Sequence, residues 1–157
     1  MYIFRLFYLL VISLISVSLT SNGYASKAND KVLFQELFKS WTKTFNQKKY
    51  PEVCDLFSKS IVADYQGSQR KNYSKLCFGF KKIFKEKNMV YHNNFKIHKI
   101  YHSNNLAAVR ITWYLDIYKN GAHVSTIQEE GLDILQKQSN NQWQIVNFIA
   151  YPVSQQG

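Results

Sequence analysis

A chain of 157 residues that is 46% hydrophobic and 16% aromatic is too apolar for a disordered tail and has room for one packed domain. Its formal net charge of +10 comes from scattered lysines, dense only over residues 81–87. That spread describes a solvated basic surface and gives no nucleic-acid stripe, with contact to an anionic membrane or polymer as the alternative reading.

Arg5 is followed by a nearly unbroken apolar run from Leu6 to Thr20, and then by the small residues Gly23 and Ala25 around Tyr24. This is the pattern of a secretory signal peptide over residues 1–25, with cleavage before Ser26 and a mature domain of residues 26–157. The alternative is a retained N-terminal anchor, although the apolar run is shorter than the roughly 20 residues that span a bilayer. Cleavage would remove Arg5, leave a formal charge of +9 and place the protein in the periplasm or outside the cell with no membrane span. An even pair of cysteines in an exported chain, Cys54 and Cys77, predicts one disulfide, with two buried free thiols as the alternative.

Phe34, Phe38, Trp41 and Phe45 recur at helical spacing and predict a helix over 30–45, with Asp30 as its N-cap. Pro51 suits the first turn of a second helix over 51–57. Residues 60–65 read as a short strand. Asn72 caps a third helix over 73–85, whose buried stripe is Tyr73, Leu76, Cys77, Phe80 and Phe84. From Met89 the apolar period changes to two. Val109, Ile111, Trp113, Leu115 and Ile117 form an inward set opposite Arg110, Thr112, Tyr114, Asp116 and Tyr118. Asn120-Gly121 is a hairpin turn, residues 139–142 are a second turn, and the last strand ends at Pro152. The expectation is an α+β domain, three N-terminal helices packed on one face of a curved antiparallel sheet.

Three stretches, "WTKTFNQKKYPEVCDLF", "SIVADYQGS" and "EEGLDILQKQSNNQWQIVNFIAYP", resemble in order the parts of NTF2-like domains, the cone-shaped fold of ketosteroid isomerases and SnoaL-type cyclases. The resemblance covers residues 32–152. It implies an apolar cone for a small molecule, and it gives Asp64 the position of the isomerase general base. Glu130 takes the place of the second acid, and Trp41 stands where the isomerase has a tyrosine donor. Trp113, Asn147 and Tyr151 are expected to line the cone. Asp64 also reads as a strand-end carboxylate without chemistry, and Trp41 as core packing. The four histidines are not at metal-ligand spacing, and neither a metal nor a cofactor is expected. The functional expectations are an isomerase- or hydratase-type enzyme, a non-catalytic binder of an apolar ligand, or an assembly component such as a secretion-system periplasmic protein. A homodimer is expected through a sheet face carrying Arg110, Tyr114 and Tyr118.

Overall fold

The computed structural model describes residues 22–153, so most of the predicted leader lies outside the described residues. Helix α1 spans Asn22–Asn46. It begins well before Asp30, which lies inside the helix and is not its N-cap. From Phe34 onward its periodic face enters the core: Phe34 and Phe38 are wholly buried, Phe45 nearly so, and Trp41 is 9% exposed. No described helix is long and apolar enough to cross a membrane.

The second predicted helix is absent. Residues after Pro51 make only a 3-10 turn, Glu52–Cys54, closed by the Asp55 N–H donating to the Glu52 carbonyl. The sheet captures the chain at once: the Ile145 N–H donates to the Leu56 carbonyl at 2.8 Å, and strand β1 opens at Phe57 and runs to Tyr65. The architecture therefore has two helices rather than three. Helix α2, Tyr73–Phe84, follows, and the Asn72 side chain caps it by accepting from the Lys75 N–H at 3.0 Å. A disulfide joins Cys54 to Cys77, with Cα atoms 5.8 Å apart. It pins the 3-10 turn to α2 across 23 residues of sequence, a loop for which chain entropy assigns about 3 kcal/mol of stabilisation.

Strands β2 (Met89–Ser103), β3 (Leu106–Lys119), β4 (Ala122–Lys137) and β5 (Trp143–Pro152) form the expected antiparallel meander. Asn120 and Gly121 both hold positive φ in the β3–β4 turn, as that tight connection requires. The sheet order is β1-β5-β4-β3-β2, and β1 runs parallel to β5, so the sheet is mixed and not purely antiparallel. The free edge of β1 is partly closed by Lys71, whose backbone exchanges two hydrogen bonds with Ala63 at 2.8 and 2.9 Å.

Two of the four register shifts in the sheet decide which side chains of β4 and β5 face the helices. One extra residue in β4 near Val124 offsets the β3–β4 ladder, and one in β5 near Val146 offsets the β4–β5 ladder. Because side chains alternate with period two, each bulge reverses the facing of everything beyond it. The core between the helices and the sheet is aromatic. Trp41 meets Trp113 edge-to-face at 5.1 Å and Phe45 at 5.4 Å, and Phe57 stacks on Phe80 at 5.8 Å. Such pairs add about 0.5–1.5 kcal/mol each beyond the area they bury.

Candidate functional site

The aromatic core does not close completely. A cavity of about 190 Å³ remains between α1, α2 and the sheet, walled by Trp41, Phe45, Phe57, Phe80, Trp113 and Phe148. An engineered cavity of about 150 Å³ holds one benzene, so this space suits a single ring with a small substituent. It is below the roughly 300 Å³ at which drug-sized pockets begin.

Four polar side chains reach this apolar space: Tyr65 from β1, Asn93 from β2, and Glu129 and Asp133 from β4. Strand alternation puts both carboxyls on one face, with Gly131 between them. Gly131 and its β5 partner Ala150 are small, and a Cβ at Gly131 would lie 3.7 Å from the Ile111 side chain. Asp133 is 3% exposed, and its Oδ2 has no hydrogen-bond partner. Burial pushes its carboxyl up from 3.8 to about 7, against the Trp113 indole, which donates to it and favours the ionised form. Burial also raises Glu129, opposed by nearby Lys71. The Tyr65 phenol is held well above its ordinary value by burial first, then by Glu129 and Asp133. The Lys71 ammonium lies over the Tyr65 ring, 4.6 Å from its centroid. Asn93 is fixed from α1: Asn46 accepts from its N–H at 2.7 Å and donates to its carbonyl at 3.0 Å, and the Asn93 side-chain oxygen is left unpartnered.

Several expected site residues lie elsewhere. Glu130 faces away from the cavity, opposite Thr112 on β3. There the Thr112 hydroxyl donates to Glu130 Oε1 at 2.6 Å, and His98 Nε2 approaches the same hydroxyl at 2.5 Å. Its neighbour Glu129 is the one that lines the cavity. Asn147 and Tyr151 also face outward, opposite Ile134 and Glu130, because the β5 bulge moves Phe148 and Ala150 to the inner side. Asp64 does not line the cavity. It sits in a shallow outer groove with Ile149 and Tyr151, and its two oxygens accept from Arg70 Nε and Nη2 at 2.8 and 3.0 Å. Trp41 and Trp113 do line the cavity, but the Trp41 indole N–H is taken by the Val53 carbonyl at 2.8 Å and is not free to donate to a ligand. Sequence reasoning thus missed Tyr65, Asn93, Glu129 and Asp133. One available signal was the spacing Glu129-x-Gly131-x-Asp133 running into Leu135, which puts two acids in phase with a core leucine.

No family model and no curated protein matches this chain. Solved structures do match it. A ketosteroid isomerase-like protein from Erwinia carotovora atroseptica superposes with a TM-score of 0.61 at 16% identity, covering 76% of this chain and 93% of that one. An NTF-2 like protein of unknown function from Shewanella oneidensis gives 0.65 at 17% identity, with 79% and 98% covered. A Catenulispora acidiphila protein in complex with S-DNPA gives 0.66 at 9% identity, with 80% and 94% covered. At these identities the likeness is one of fold.

Proposed function

We propose that this chain of NTF2-like fold is a small-molecule pocket protein, binding a single apolar ring that carries one polar substituent. The observation that supports the reading most is the unpartnered Asp133 Oδ2 at the wall of an aromatic cavity. A buried polar atom without a partner is costly, and such atoms mark places where a ligand or water completes the bonding. A second reading is proton transfer of the isomerase type. A carboxyl held near 7 is suited to give and take a proton at neutral pH, and Asp133 has that property inside the cavity. Asp64, with both oxygens engaged by Arg70, is the less favoured base.

Titration with cyclohexanone tests both readings. Binding should shift the indole N–H signals of Trp41 and Trp113, and proton transfer should exchange the ketone's α-protons with deuterated solvent. If no signal moves, the cavity is only a packing gap and the pocket reading fails. Exchange that survives Asp133→Asn, or disappears in Asp64→Asn instead, removes Asp133 as the base.

Export belongs to the same proposal, supported by the leader pattern and by the disulfide. Protein recovered without reductant is expected to begin at Ser26 and to resist alkylation at both cysteines. An intact Met1, or two alkylated thiols, would count against it.

A further inference from the structure

We propose that the cavity's ligand is a small protonated amine on an apolar ring, held by the Asp133 carboxylate and the surrounding aromatic faces; this rests on the pocket reading above. Two carboxyls reach the cavity, and Lys71 stands near one of them, Glu129. Among the described residues no cationic side chain acts on Asp133, where the only opposing influence on burial is the neutral Trp113 indole. Once ionised, Asp133 is therefore a buried anion with no cation beside it, and a monocation supplies one.

Asp133 Oδ2 is buried and unpartnered. An ammonium has only donors to offer, and this oxygen has lone pairs to receive one. The wall also favours a cation. Trp41 and Trp113 present ring surface to the same space, and aromatic faces attract cations, more so when water is excluded. An anionic ligand would instead meet two carboxyls on an apolar wall.

Binding of the amine requires Asp133 to ionise, and its proton leaves to solvent. The other titratable groups lining the cavity are Glu129 on the same strand and Tyr65 on β1, with Lys71 beside them. Amine affinity should therefore rise with pH as Asp133 loses its proton.

The test compares cyclohexylamine, cyclohexanone and cyclohexanecarboxylate by calorimetry, three probes of nearly equal size. At about pH 8 the amine should bind at least about tenfold more tightly than the ketone, the ratio a charge-assisted hydrogen bond gives. That advantage should fall at about pH 5.5, where Asp133 is protonated, and binding near neutral pH should release protons to the buffer. In Asp133→Asn the amine-to-ketone ratio should collapse toward one. Should that variant fail to fold, the pH dependence and proton release of the unaltered protein decide the matter. If the ketone or carboxylate binds as well as the amine, the amine proposal is overturned and the pocket stands. If none of the three binds, both readings fall. An amine preference that persists in Asp133→Asn overturns Asp133 as its anchor.

Discussion

Trp41→Ala is expected to destabilise the protein by about 3–5 kcal/mol, with a further contribution of about 1 kcal/mol from the Val53 carbonyl it strands. Trp41 meets Phe45, Phe57, Phe80 and Trp113 within one cluster, so truncation removes the piece that joins α1 to both α2 and the sheet. Its indole N–H also ties α1 to the 3-10 turn at 2.8 Å. Typical domains are stable by only about 5–15 kcal/mol, so this single change approaches the threshold for unfolding. Trp41→Phe separates the two contributions. It keeps a ring in the cluster and loses the hydrogen bond, and should cost about 1–3 kcal/mol. Urea unfolding of the three proteins is the measurement. Equal midpoints for the Ala and Phe variants would show that ring packing at this position carries little of the stability.

The second large effect is in the pH dependence of stability. Asp133 holds its proton up to about 7 in the folded protein, against 3.8 as its ordinary value. Between these values the unfolded chain has released the proton and the folded chain has kept it. Stability from this group is therefore full below about pH 4, falls as pH rises toward 7, and is level above that. The shift corresponds to about 4 kcal/mol, as an order of magnitude. Asp133→Asn cannot ionise. Its stability relative to the unaltered protein should improve by about that amount between pH 4 and pH 8. Comparing the two proteins cancels the titration of their other groups, Glu129 included. Parallel pH profiles for the two proteins would mean that Asp133 is ionised in the fold, and would remove the basis for its role in proton transfer.

A group that lowers stability at neutral pH, and that a simple amide would relieve, fits the pattern of a site retained for binding or chemistry. The same conflict explains what the sequence concealed. The elements themselves were legible: the helical spacing of Phe34, Phe38, Trp41 and Phe45, the Asn72 cap and the Asn120-Gly121 turn each carry a local physical signal. The second helix failed because Leu56 and Phe57 are apolar in either conformation, and pairing with β5, distant in sequence, decided the outcome. The site failed for a sharper reason. Alternation reads Leu132 and Ile134 as inward and their acidic neighbours as outward. In the structure Leu132 is 39% exposed and Asp133 is buried. The strand inverts its own polarity pattern where it lines the cavity. In β5 the bulge reverses facing after Ile145, so Asn147, Ile149 and Tyr151, which continue the phase of Trp143, end on the outer surface.

The parallel pairing of β1 with β5 also bears on how the molecule reaches its folded state. Phe57 pairs with Ile145 and Tyr65 with Ala150, so among the described strands the first in sequence pairs with the last. Contacts that distant along the chain carry a high loop-closure entropy and form late. During synthesis the helices and the first hairpins can form as they emerge, but β1 has no strand to join until residues 143–152 exist. Completion of the sheet is thereby deferred until residues 143–152 have been made, which leaves the β1 edge unpaired for most of the synthesis of the described residues.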